Sequence, residues 1–195
     1  QKLGHKKVFF QNCHIDKSLW GDLVVPIPRG IEVSKSIKIN EYAWNGSEIE
    51  GAEKLELLSK PPIKQSTKFM LGNFRTNTNA RHRQIIKHIC QNTMHINWIE
   101  PPGRTDRERF LSGHQYIDFI DNVLDHRAMV CAQGNDMGGN LRMYETLYLS
   151  RVAITFNPKM YENLHHLFPV VLIKNLNDLQ NYEKMKEQID EAEKK

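Results

Sequence analysis

Arg142 and Glu145 stand three residues apart, just beyond the run Gly134-Asn135-Asp136-Met137-Gly138-Gly139-Asn140. Side chains at i and i+3 share one face of a helix, so the two project together if a helix opens at Asn140. A cation in the first turn opposes the helix macrodipole, a placement best understood beside an anionic ligand. Glycines that let the chain approach closely, the unpaired N–H groups of a helix start and a guanidinium together suit a diphosphate. Glu145 accepts hydrogen bonds and donates none when ionised, which suits the vicinal hydroxyls of a ribose. The plainer reading is a glycine-rich turn with a surface Arg–Glu pair contributing roughly 0.3 kcal/mol. The loop, the helix start and the spaced pair taken together favour the nucleotide-diphosphate cradle, formed by Gly134, Asn135, Gly138, Gly139, Asn140, Arg142 and Glu145.

A second segment, Gly72-Asn73-Phe74-Arg75-Thr76-Asn77-Thr78-Asn79-Ala80-Arg81-His82-Arg83, also follows an apolar run and opens a helical pattern. Arg75, Arg81 or Arg83 can offer bidentate donors to a pyrophosphate, with Arg75 and Arg81 placed ahead of Arg83 and Gly72 at the turn. The alternative is a solvated basic helix start. His14 and Asp16 are candidates for a catalytic base. The nine histidines show no paired ligands at a helical spacing with carboxylates, so no metal site is expected. Asp118 and Asp121 read as a solvated face. Trp20, Trp44 and Trp98 read as packing residues, with Pro101-Pro102-Gly103 a suitable wall for a nucleotide base.

The elements that must hold these residues follow from periodicity. Short apolar runs at residues 8–10 and 23–27 read as strands, the second stopped by prolines, and residues 47–59 as a surface helix. From Lys68 onward, strands at 69–71, 95–99, 128–132, 152–156 and 170–173 alternate with helical patterns at 79–91, 110–124, 140–151 and 161–167. The polar stretch from Asn177 suggests a frayed amphipathic helix. This alternation predicts an α/β, Rossmann-like three-layer sandwich with a mostly parallel sheet. Ligands in such sheets bind at the carboxyl ends of the strands, where both glycine segments fall. The organisation expected is an N-terminal segment (1–66), a nucleotide-sugar-binding domain (67–180) and a C-terminal polar helix or tail (181–195).

Composition narrows the function classes. Of 195 residues, 39% are hydrophobic and 26% charged, enough for a soluble core. No apolar run approaches the ~20 residues of a membrane span. The net charge of +4 is mild and scattered apart from residues 75–88, which fits a small anionic ligand better than nucleic acid. Cys13, Cys90 and Cys131 form no disulfide framework or zinc spacing. The absence of a signal region and of disulfides favours a cytoplasmic setting; a trimmed chain would also fit the Golgi lumen.

The order of these segments resembles the exostosin-like glycosyltransferases and, more broadly, the C-terminal half of two-Rossmann-domain (GT-B) glycosyltransferases. The similarity is carried by the Tyr-bearing stretch 116–124, the strand ending at Gly134-Asn135-Asp136, Arg142-x-x-Glu145, Val152-Ala153-Ile154, Leu167-Phe168-Pro169-Val170-Val171 and Leu176-Asn177-Asp178-Leu179. Gln11-Asn12 and Val25-Pro26-Ile27-Pro28-Arg29-Gly30 resemble the segment where the chain enters that half. The resemblance implies a nucleotide-sugar donor, commonly a UDP-sugar, and a hydroxyl acceptor on a glycan or glycoprotein. It assigns Arg142 to phosphate, Glu145 to ribose and the loop from Gly134 to Asn140 to the donor sugar and pyrophosphate. It also implies metal independence and no cofactor beyond the donor, and no Asp-x-Asp motif occurs in the sequence. Ser150-Arg151 departs from the family's small residue and glycine, and the residues before Lys68 are too few for a second Rossmann unit. The rival expectation is a non-catalytic nucleotide-binding or interaction domain of a larger protein, which would hold nucleotide without consuming it.

Overall fold

The computed structural model describes residues 8–11, 24–27, 38–39, 42–43, 65–76, 81–101, 113–132, 141–156 and 168–195. Near the N-terminus, β1 (Val8–Gln11) pairs in parallel with β2 (Val24–Ile27), and β3 (Lys38–Ile39) pairs antiparallel with β4 (Tyr42–Ala43). The helices expected at 47–59 and 161–167 lie outside the described residues.

The principal sheet is built from β5 (Lys68–Gly72), β6 (Ile96–Trp98), β7 (His126–Val130), β8 (Val152–Thr155) and β9 (Val170–Leu172), in the order β6-β5-β7-β8-β9. Every pairing within it is parallel, with Met70 opposite both Ile96 and Ala128, Ala128 opposite Val152, and Ala153 opposite Val170. Among the described residues four α-helices accompany it: α1 (Arg81–Gln91), α2 (Gly113–Leu124), α3 (Leu141–Tyr148) and α4 (Tyr182–Ala192). The architecture is an α/β Rossmann-like sandwich.

The strands are apolar on both faces because both are covered, as parallel sheets require. Period-two alternation sorts their residues between two cores. Met70, Ala128, Val130, Val152, Ile154 and Val171 meet Ile86, Ile89 and Cys90 of α1 and Met185 and Ile189 of α4. Leu71, Met129, Ala153 and Val170, on the other face, meet Phe119, Ile120, Val123 and Leu124 of α2 and Met143 and Tyr144 of α3. The chain steps from β5 outward to β6 with α1 on one face, then from β7 outward the other way with α3 on the opposite face. Right-handed crossovers demand that exchange of faces when the direction of winding reverses. The reversal falls between β5 and β7.

The C-terminal helix is firmly docked where fraying was expected. Asn181 caps α4 by accepting from the Lys184 amide at 3.1 Å, and Met185, Ile189 and Ala192 are buried. Lys186, Glu187 and Glu191 between those residues are exposed, and the polar run they belong to made the segment read as a solvated tail. Strand β7 also begins earlier than its apolar run, at His126, because its ladder with β5 extends down to Lys68. The buried His126 ring donates through Nδ1 to the Asn122 carbonyl (2.6 Å) and accepts at Nε2 from Asn97 Nδ2 (3.0 Å). Arg127 is held in the strand by Asp190 and Glu193 of the C-terminal segment and lies 5.8 Å from the Phe69 ring centre.

Candidate functional site

In a sheet of order 2-1-3-4-5, the segments leaving the two strands at the winding reversal diverge to opposite faces and open a crevice at the carboxyl edge. Here those segments are residues 73–76 after β5 and residues 131–132 after β7, with α3 beginning nearby in sequence at Leu141. The fold therefore places residues 73–76 and residues 131–132, which lead toward the two segments singled out above, at one end of one sheet.

Arg83, in the first turn of α1, joins the two sides. Its Nη1 donates to the Arg75 carbonyl at 2.9 Å and its Nη2 to the Ala132 carbonyl at 3.2 Å. The same guanidinium lies 6.0 Å from the centre of the Phe74 ring. A planar fork spanning two carbonyls from different loops fixes their separation in a way a flexible ammonium would not. Sequence placed Arg83 behind Arg75 and Arg81, and its clamping role depends on a contact 49 residues away that no local pattern records.

Arg75 sits where burial, and next the positive charge of Arg142, hold its pKa below the ordinary arginine value. Two guanidinium groups reached from neighbouring strands thus share an electrostatic environment. Arg81 is exposed at the start of α1. Gly72 is required by packing. A Cβ there would lie 2.8 Å from Trp98 Cε3 and 3.3 Å from Cys90 Cβ. Trp98 closes on this side edge-to-face with Phe74 at 5.2 Å and donates to Glu100 at 2.8 Å. The Lys87 ammonium and the Trp98 N–H hold the Glu100 carboxyl below the usual carboxylate range. Asn73 Nδ2 donates to the Ile99 carbonyl at 3.2 Å, tying the turn after β5 to the end of β6.

Arg142 and Glu145 share a face of α3 as the spacing predicts, and they are engaged with each other: Nη1 donates to Oε2 at 2.9 Å. Glu145 is only 3% exposed, whereas the Arg142 side chain is 28% exposed. The guanidinium carbon lies 4.0 Å from the centre of the Phe119 ring, contributed by α2. Thr146 donates back to the Arg142 carbonyl at 2.6 Å, tightening this turn. What the geometry assigns to Glu145 is the aiming of Arg142. Phe119 was legible only as a core-facing position of an amphipathic helix.

Gly134, Asn135, Gly138, Gly139 and Asn140 lie outside the described residues, as do His14 and Asp16, Pro102 and Gly103. Burial pushes the thiols of Cys90 and Cys131 up to about 12, so neither is a nucleophile at neutral pH. Among the described residues no group of three or more His, Cys, Asp or Glu side chains is placed to hold a metal ion, and no helix is long and apolar enough to cross a membrane. No family model matches the chain, and no curated protein is significantly similar to it.

Proposed function

We propose that this domain binds the diphosphate of a nucleotide sugar, commonly a UDP-sugar, as the donor side of a glycosyltransferase acting on a hydroxyl of a glycan or glycoprotein. The observation supporting this reading is the placement of Arg75 after β5 and Arg142 after β7, on either side of the winding reversal of a parallel sheet, where burial and then the charge of Arg142 lower the Arg75 pKa. Two cations held together are relieved by an anion between them, and a diphosphate supplies charge on both of its phosphoryl groups. In glycosyl transfer the bond from the anomeric carbon to the diphosphate oxygen lengthens, and negative charge grows on that oxygen. Guanidinium groups fixed in advance stabilise that charge more than they stabilise the intact donor. The resemblance of Arg142-x-x-Glu145 and the following strand to exostosin-like enzymes points the same way.

The test is titration calorimetry with UDP. Arg142→Ala weakens binding by at least about tenfold, the loss of one charge-assisted contact; it also takes the ion pair from the buried Glu145 and lowers the melting temperature, so affinity is measured well below the transition. Unchanged affinity in a folded variant overturns the proposal. A thermal-shift series with UDP-, GDP- and CMP-sugars then identifies the base, since a ligand that binds the native state raises the melting point.

A further inference from the structure

We infer that Phe119 is a positioning residue for the phosphate-binding guanidinium, acting on α2 from outside the loop-and-helix unit that carries Arg142. This inference rests on the anion-binding reading above. An exposed arginine in the first turn of a helix normally samples many rotamers, and fixing it on a ligand costs conformational entropy. Arg142 has that freedom removed from two directions. Phe119 is 4% exposed and belongs to the same buried cluster as Ile120, Val123, Met129 and Met143. Its ring stands 4.0 Å from the Arg142 guanidinium carbon, close enough for cation–π attraction and well inside the usual ~6 Å limit. Glu145, equally buried, takes Nη1 at 2.9 Å. A ring contact and a carboxylate at one nitrogen together fix both the place and the rotation of a planar fork. Bidentate recognition of a phosphoryl group depends on that rotation.

The arrangement predicts that Phe119 contributes to diphosphate affinity only through Arg142. Leucine at this position keeps the apolar volume nearly constant but offers no π face, so Phe119→Leu tests the ring and not the core. Affinity for UDP is measured by calorimetry for the parent, Phe119→Leu, Arg142→Ala and the double variant, with thermal unfolding of each. Phe119→Leu alone weakens UDP binding by about three- to tenfold, matching a cation–π contribution. In the Arg142→Ala background the same change has no effect, because the group it positions is gone. If Phe119→Leu costs the same factor in both backgrounds, or nothing in either, the positioning role is wrong while the anion site stands. If Arg142→Ala itself leaves UDP affinity unchanged, the anion site fails and this inference with it. Glu145→Gln provides the second arm should Phe119→Leu not fold. It retains shape and one acceptor oxygen but removes the charge that holds Nη1, and it weakens UDP binding several-fold in the parent and not at all beside Arg142→Ala.

Discussion

Ser150 adopts φ 54°, in the left-handed region that favours glycine, and it is the one non-glycine residue among those described to do so. The reason is the ending of α3. Ser150 N donates to Leu147 O at 3.0 Å and Arg151 N to Thr146 O at 3.1 Å, the paired bonds of a Schellman termination whose C′ residue must turn left-handed. Ser150→Gly removes the Cβ clash at the cost of a more flexible unfolded chain, for a net gain of about 0.5–1 kcal/mol. Thermal unfolding should register a rise of about 1–4 °C, and a fall would show that the serine side chain has contacts outweighing its strain. Arg151, the next residue, departs from the glycine of the resembled family. It instead donates to the Leu124 carbonyl at 2.8 Å and the Ser150 carbonyl at 3.0 Å, neutralising the negative ends of α2 and α3 together.

Among the elements, α4 contributes most beyond its sequence signal. Its apolar residues seal the core on the α1 face, and its acidic residues answer Arg127 on β7 and Lys186 one turn before Asp190. Hydrogen bonds from Lys186 and Arg127 hold the Asp190 carboxyl down to about 2, against an ordinary 3.8. A depressed carboxylate pKa means that the folded state binds its proton less readily than the unfolded chain. The stabilisation is therefore whole above about pH 4 and is lost as pH falls toward 2. Because the carboxylate is solvent-exposed, screening keeps the effect small. Asp190→Asn lowers the melting temperature near neutrality and leaves a shallower decline between pH 4 and 2 than the parent. Parallel curves for the two proteins would remove the ion pairs from any account of how α4 is held.

For the molecule as a whole, the C-terminal segment belongs to the same cooperative body as the sheet. Met185 and Ile189 are fully buried against strands β7, β8 and β9, each with a burial contribution of about 1.5–3 kcal/mol. A chain ending at residue 180 loses both, plus the Arg127 network, a sum that reaches the lower end of the ~5–15 kcal/mol that typically separates folded from unfolded states. Truncation there yields protein with a collapsed melting transition or none, followed by circular dichroism. A truncated chain melting cooperatively near the parent's midpoint would make α4 dispensable.

The alternation of apolar runs with helical patterns from Lys68 onward was sufficient to specify an α/β parallel sheet, because covered strands must be apolar on both faces and helices on one. The Arg142–Glu145 spacing likewise placed the two side chains on one face, since helical geometry is local. Strand order was not written locally. It arises from which neighbour each strand pairs with across tens of residues, and it alone sets the reversal between β5 and β7, the two strands that lead to Arg75 and Arg142. Long-range contacts also gave Arg83 to two loop carbonyls, Phe119 to Arg142, Arg127 to α4 and Gly72 to Trp98. Each depends on partners that approach only after the sheet has closed its two cores, so periodicity along the chain carries no record of them.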